Sequence, residues 1–471
     1  MRAALLCARL LVIPALIAPF WFWNNGLLEL EATQFVQRYL ADRPILQKVF
    51  DPHINDIGTY QARELSYFFD YLDARVFAFF MNLDRAIFVP ASSVGAGFLT
   101  ALVIVWQTRR WPAATALAAT LLLLLYLTNF IYVVTSGVFY RSTKPLLAPV
   151  LIATVLYLFN VLARPASLGE APGGALQSRA QRARHAVTLF TLLCTLSLLD
   201  RQGFFLAVVG LAIVVMYWIS RKASGGLVIA AGSAVVSMVV YNMLVGPALI
   251  RALNGYNPSF QYQNVRLAEI LTTPQHFVRA AEILWQATRV LVGGLPSALA
   301  VILLAVALWR LQPWRRARHP TVGMLVVVAL PAAFLLMFAI MVARHPAIYD
   351  LTDHRLWYYP LPWQALLLAG GTCAIGYSIR AGKAGTALLC GILALATVSN
   401  VTQWNSYRRD MSFSQWFRVV SQQSEALKAS LQDGRPRPFL SPEYADFYQY
   451  CLRLSPALKV RDAATRQPVV R

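Results

Sequence analysis

Two aspartates frame a short turn, Asp51-Pro52-His53-Ile54-Asn55-Asp56-Ile57-Gly58. Pro and Gly interrupt helix here, which puts both carboxylates on a constrained loop. A carboxylate held in this way suits a general base acting on a hydroxyl. The pair could also hold a divalent cation, although oxygen-coordinated cations take more ligands than two side chains supply. Each residue has a plainer use as well. Asp51 before Pro suits a helix cap, Asp56 after Asn suits an Asx turn, and His53, with no second His nearby, suits a loop hydrogen bond. The surrounding stretch, 24–86, concentrates acidic residues: Glu29, Glu31, Asp42, Asp51, Asp56, Glu64, Asp70, Asp73 and Asp84.

A second set of residues is cationic and aromatic. It comprises Tyr140-Arg141-Ser142-Thr143-Lys144-Pro145, then Asp200-Arg201, then Asp353-His354-Arg355-Leu356-Trp357-Tyr358-Tyr359. Arg forks bind phosphate well, and Lys supplies a point charge. Arg141, Lys144, Arg344 and Arg355 therefore suit an anionic ligand; neutralising a nearby acid or a lipid headgroup is the alternative. Trp357, Tyr358 and Tyr359 suit either an interfacial aromatic belt or a sugar-stacking surface. Asp70 and Asp73 read as the polar face of a surface helix, solvated or paired with Arg75.

The elements that must position these residues are greasy helices. The chain has 471 residues, 58% hydrophobic and 13% charged, with a mean hydropathy of +0.53. Such a composition predicts an all-α polytopic membrane protein, not a soluble one. About 11 transmembrane helices are expected, near 6–24, 87–107, 112–134, 145–163, 186–200, 203–220, 225–249, 290–309, 321–343, 360–379 and 384–403. The net charge of +21 reflects Arg and Lys flanking these spans, as the positive-inside rule expects, and implies no nucleic acid. The lipid bilayer is the expected partner. Placing the basic clusters in the cytoplasm makes Arg2 and Arg9 internal, the start of an uncleaved signal-anchor helix. It makes 24–86, Thr135–Lys144, 250–289, Arg344–Tyr359 and the tail external.

Residues 186–220 read as a hairpin turning at Asp200-Arg201-Gln202-Gly203. Arms that short leave Asp200 and Arg201 below the outer surface, in a cavity or paired with each other. Segments 27–49 and 63–83 in the first loop read as amphipathic helices lying on the membrane. Leu27, Leu28, Leu30, Phe35, Val36, Tyr39 and Leu40 form the first apolar stripe; Leu65, Phe68, Phe69, Leu72, Val76, Phe77 and Phe80 form the second. The chain thus divides into a membrane module, 1–403, with a Gly/Pro/Ala/Arg-rich cytoplasmic linker at 164–185, and a small external tail, 404–471. Cys7, Cys194, Cys373, Cys390 and Cys451 imply no disulfide framework.

The layout resembles the GT-C superfamily of membrane glycosyltransferases: an inside N-terminus, a long first external loop with amphipathic helices, about 11 spans, and an external tail. The segment Tyr60-Gln61-Ala62-Arg63-Glu64-Leu65-Ser66 is similar to the Y-x-x-R-P-L-S stretch of the bacterial, protein O-mannosyltransferase-like branch, with Glu64 in place of Pro. The WWD-type motif of oligosaccharyltransferases is absent. The resemblance implies a bacterial inner-membrane enzyme with a periplasmic active site and a polyprenyl-phosphate sugar as donor. The acceptor would be a hydroxyl on a glycan, lipid or protein. On that reading Asp56 is the base, with Asp51 as alternative or acceptor ligand. Arg63, Arg141, Lys144, His354 and Arg355 would bind the donor phosphate. His53, Tyr60, Tyr140, Trp357 and Tyr358 would line the sugar and acceptor sites, and Asp200-Arg201 would be a structural pair. Other classes fit the composition too: a transporter or flippase for a lipid-linked or anionic solute, or a non-catalytic envelope polysaccharide assembly protein.

Overall fold

The computed structural model describes residues 1–55, 60, 62–163, 179–219, 224–258, 272–293, 320–344, 355–377, 383–409 and 415–455. These fold as helices, with one pair of two-residue strands. Helix α1 (Arg2–Phe22) leads to β1 (Leu27–Leu28). The first loop then contributes α2 (Leu30–Leu40), α3 (Ile45–Val49), α4 (Pro52–Asn55) and α5 (Glu64–Asn82). The bundle continues with α6 (Ala91–Thr108), α7 (Ala113–Thr128), α8 (Phe130–Gly137), β2 (Val138–Phe139) and α9 (Thr143–Leu158). After these come α10 (Arg179–Leu199), α11 (Arg201–Ile219), α12 (Gly225–Val240), α13 (Gly246–Asn254), α14 (Pro274–Val292) and α15 (Pro320–Arg344). The remaining helices are α16 (Arg355–Tyr358), α17 (Leu361–Tyr377), α18 (Lys383–Arg409), α19 (Gln415–Asp433) and α20 (Pro442–Leu454).

Among the described residues, five stretches are long and apolar enough to cross a membrane: α1, α6, α11, the run Gly225–Asn254, and Gly385–Arg409 within α18. Helices α7 and α8, bent by 57°, make a sixth when taken as one span. Thr143–Leu158, Pro331–Ala343 and Leu361–Gly376 are apolar but shorter. The described residues are therefore those of a helical membrane protein, with five or six candidate spans among them. Most of the expected span at 290–309 lies outside the described residues.

Local sequence explains the breaks. Asn129 caps α8, its side-chain oxygen accepting the Tyr132 amide at 3.2 Å, which turns the chain after α7. A π-helical segment, Tyr241–Val245, separates α12 from α13. Pro247 follows it, and its ring would clash with the carbonyl four residues back in a regular helix. Helices α10 and α11 form the hairpin expected at Asp200. A Cβ on Gly203 would sit 1.8 Å from the Leu196 carbonyl oxygen, so the two arms touch only because this residue is glycine. Hydroxyls of Thr120, Thr128 and Thr154 bond to carbonyls of their own helices, which satisfies them in an apolar interior.

A second core lies at one end of the bundle. Leu28, Phe35, Val36 and Tyr39 of the first loop are buried there with Phe77, Phe88 and Phe139, and with Tyr444, Phe447 and Tyr448 of the tail. The expectation that the 27–49 stripe lies on lipid is therefore corrected for α2: its stripe is covered by α5 and by α20. Strand β1 pairs in parallel with β2, Leu27 opposite Val138. Ser424 Oγ accepts the Leu28 amide at 2.8 Å, and Tyr444 Oη donates to the Leu28 carbonyl at 2.7 Å. The buried amine of Lys428 donates to the carbonyls of Trp23 and Asn24, where the C-terminal end of α1 favours a cation.

Candidate functional site

The site is built on Tyr140–Lys144, where β2 runs into α9 beneath the first loop. Tyr140 Oη donates to Glu31 Oε2 at 3.0 Å. Arg141 donates to Glu31 Oε1 through Nε at 2.9 Å and Nη2 at 2.6 Å. Its other edge, Nη1, faces Asp70 Oδ2 at 3.8 Å, beyond hydrogen-bond length. The guanidinium also lies over the Phe35 ring, 5.2 Å from the centroid. Asp70 Oδ1 accepts the Ser142 amide at 2.8 Å, and Ser142 Oγ donates to the Ser66 carbonyl at 3.1 Å. The polar face of α5 is thereby docked onto the start of α9.

One turn further on, Lys144 Nζ is 2.9 Å from Asp200 Oδ1. Arg63 Nε is 3.7 Å from Asp200 Oδ2. Asp200 also caps α11, accepting the Gln202 amide at 2.7 Å, which explains both the break in the hairpin and the choice of Asp. Tyr358 links the two halves: its hydroxyl donates to the Arg141 carbonyl at 2.7 Å and accepts the Lys144 amide at 3.1 Å. Lys144 lies 5.1 Å from the Tyr359 ring centroid, and Tyr140 meets Tyr358 edge-on at 4.9 Å. Asp70, Asp200 and Lys144 are all buried. Burial of so many charges is tolerable because each faces an opposite charge.

Asp51 belongs to a different group. It caps α4 through the His53 amide at 3.0 Å, pairs with Arg43 at 3.1 Å, and accepts the Tyr256 hydroxyl at 2.8 Å. His53 is exposed, its ring 4.7 Å from that of Tyr256. Asn254 donates to the Gln47 and Phe50 carbonyls. This group fastens α3 and α4 to the end of α13. Nearby, Tyr60 Oη donates to Glu64 Oε1 at 3.0 Å, and that hydroxyl sits where a Cβ on Gly246 would come within 1.8 Å of it. Burial pushes the Glu64 carboxyl up to about 7, against the hydrogen bonds from Tyr60 and Tyr241.

No protein-family model, curated protein or solved structure matches the chain. Its chemistry follows from its own geometry. The structure brings together Arg63, Tyr140, Arg141, Lys144, Tyr358 and Asp200 of the residues singled out by sequence. It sets Asp51 and His53 apart from them. Trp357 is buried edge-on to Phe130, 6.0 Å between centroids. Asp56 and His354 lie outside the described residues; Arg355 opens α16. Arg201 opens α11, and the expected Asp200–Arg201 pair is corrected: the ion pairs of the Asp200 carboxylate run to Lys144 and Arg63. Among the described residues no three His, Cys, Asp or Glu side chains are grouped as a metal would need.

Sequence reasoning missed roles for Glu31, Asp70 and Asp73. Asp73 accepts the Ser92 amide at 2.8 Å and the Ser92 hydroxyl, which holds the start of α6. The expected solvated face of α5 is instead its buried face. Burial is the main cause that raises both carboxyls, Asp73 to about 7; for Asp70 the Arg141 charge and the Ser142 hydrogen bonds oppose the rise. The signal was present in the spacing. Ser66, Asp70 and Asp73 share one face, opposite the exposed Phe68, Leu72 and Phe79. In a membrane protein the apolar face points to lipid and the polar face to protein.

Proposed function

We propose that the protein is a membrane glycosyltransferase that moves a sugar from a polyprenyl-phosphate donor to an acceptor hydroxyl. The observation that carries this reading is the convergence of Arg63, Arg141 and Lys144 with Asp70, Asp200 and Glu31 at the first-loop end of the bundle, with Arg141, Lys144, Asp70 and Asp200 buried. A lipid phosphate leaves as an anion, so the departing group needs fixed cations more than it needs a general acid. Around Asp200, Lys144 and Arg63 converge on one carboxylate, and both are donors of the kind that receive a phosphate. A base for the acceptor would come from the 51–56 turn: Asp56 first, Asp51 second. The apolar helices would hold the prenyl chain, and the periplasmic face of a bacterial inner membrane is the setting that the basic clusters favour.

A transporter of a lipid-linked or anionic solute is the second reading. The breaks at Asn129, Asp200 and Tyr241–Val245 favour it, since transporters build sites from interrupted helices. Full-length protein in nanodiscs, given a panel of polyprenyl-phosphate sugars and an acceptor extract, decides between them. Release of free polyprenyl phosphate that is lost in Asp56→Asn is the expected result. Release lost only in Asp51→Asn moves the base to Asp51. Folded protein that releases nothing from any donor overturns the enzyme reading in favour of transport or scaffolding.

A further inference from the structure

We infer that Tyr358 is a positioning residue, whose hydroxyl bridges the main chain of Arg141 and Lys144 and so fixes the two cations relative to each other. This rests on the donor-phosphate reading above, and gives Tyr358 a task other than lining the sugar site.

The start of α9 needs partners from outside itself. The first amides of a helix have no carbonyl to bond to within it. Ser142 stands at the N-cap position, yet its side chain makes no cap; the hydroxyl donates to the Ser66 carbonyl instead. Pro145 has no amide hydrogen to offer. The Lys144 amide donates to Tyr358 Oη at 3.1 Å, and that hydroxyl donates to the Arg141 carbonyl at 2.7 Å. Arg141 and Lys144 stand three residues apart, the separation at which a carbonyl and an amide bond directly in a tight turn. The phenol is inserted into that pair. It holds the turn one hydroxyl wider and ties both residues to a single oxygen atom.

The side chains at the two ends of the bridge serve different partners. Arg141 reaches back to Glu31 and Asp70, whereas Lys144 reaches on to Asp200. The ion pairs tie the two cations to separate elements; the bridge ties them to each other. A phosphate held by both needs them at a set spacing, because hydrogen bonds weaken steeply as their geometry is lost. Tyr358 is itself well held. It is buried, and its ring meets those of Tyr140 and Tyr359 edge-on at 4.9 and 5.8 Å. The Thr143 side chain adds a hydrogen bond to its hydroxyl, and the preceding Trp357 is buried against Phe130. A phenol donates once and accepts as well, so tyrosine can do both tasks. Phenylalanine would fill the same space and do neither.

The test separates position from contact. Full-length wild type and Tyr358→Phe in nanodiscs are compared by residue-resolved hydrogen exchange and thermal unfolding. Both are then titrated with geranyl phosphate or inorganic phosphate, against empty nanodiscs. In the wild type the Lys144 amide should exchange as slowly as the interior amides of α9; fast exchange there overturns the inference without any variant. Tyr358→Phe keeps the ring, so its unfolding temperature should stay near the wild-type value. Its Lys144 amide should exchange roughly tenfold faster, and geranyl phosphate should bind roughly three- to tenfold more weakly, the loss expected of one or two hydrogen bonds. Faster exchange with unchanged binding makes the bridge a structural detail and overturns the inference. Weaker binding with the Lys144 amide still protected means that Tyr358 touches the ligand directly, which overturns it too. Should Tyr358→Phe not fold, the wild type decides: geranyl phosphate should slow exchange at 141–144 further, and unchanged exchange overturns the inference. Inorganic phosphate that binds as tightly as geranyl phosphate, with the same dependence on Tyr358, keeps the inference and removes the lipid-donor reading. A wild type that binds neither probe overturns both.

Discussion

Glu64 is one of the first-loop carboxyls whose proton binding changes on folding. It sits beside Arg63 at the start of α5, buried, with Tyr60 donating to one carboxyl oxygen. Burial raises its pKa from 4.5 to about 7. The folded state therefore holds a proton that the unfolded chain releases between those values. The resulting stability is fully present below about pH 4.5 and is lost as pH rises through about 7, on the order of 3 kcal/mol for a fully effective site. Glu29 and Asp73, also raised to about 7 by burial, act in the same direction. Thermal unfolding in nanodiscs should therefore show falling stability between about pH 5 and pH 8. Glu64→Gln should flatten part of that slope; a variant with the wild-type slope would show that Glu64 does not hold the proton. The sequence made this residue visible as a departure from the Y-x-x-R-P-L-S pattern, yet it could not show that the carboxyl is enclosed by Tyr60 and Tyr241, which are 181 positions apart in the chain.

At the scale of elements, what could be read from sequence was what a single segment decides. Helix α5 was expected over 63–83 and spans Glu64–Asn82, because its apolar period is strong. The turn at Asp200 was legible from charge: two basic ends require the chain to return. What was hidden is which face meets what. An apolar stripe says that water is excluded from it and leaves open whether lipid or protein does so. Phe68, Leu72 and Phe79 of α5 stay exposed on the protein surface, whereas Phe35, Val36 and Tyr39 of α2 meet the tail. The hairpin offers a sharp check on packing. A Cβ at Gly203 would meet the Leu196 carbonyl oxygen at 1.8 Å, backbone that cannot step aside, whereas one at Gly210 would meet only the Leu193 Cδ2 at 3.2 Å. Gly203→Ala should cost about 1–3 kcal/mol of stability and displace Asp200 from Lys144, while Gly210→Ala should be close to neutral. Equal melting temperatures for the two variants would rule out the tight α10–α11 crossing.

At the scale of the molecule, the first loop and the tail are one body. Phe77 packs against Phe88, Phe139 and Phe447 at ring distances of 6.0, 6.0 and 5.6 Å. Burial of Tyr444, Phe447 and Tyr448 in that core stabilises it by about 1.5–3 kcal/mol per side chain. A core shared in this way requires residues 27–88 and 415–455 to lie on the same side of any membrane the bundle crosses. The ends of α1 and α18 agree: Arg408 lies 5.7 and 5.8 Å from the Phe22 and Trp23 rings. Helix α6 starts at this end and runs away from it, which carries the exposed Arg110 to the far end of the bundle. Single cysteines can test this in oriented vesicles once the exposed Cys7 is replaced by serine. An impermeant maleimide should reach Arg85→Cys and Phe439→Cys from one side only, and Arg110→Cys only from the other. Phe439 is the most favourable reporter for the tail, being 82% exposed. Labelling of Arg85→Cys and Phe439→Cys from opposite sides would mean that the tail does not cover α2 in the membrane. The wall behind Glu29 and Glu31 would then have to come from another chain or from lipid.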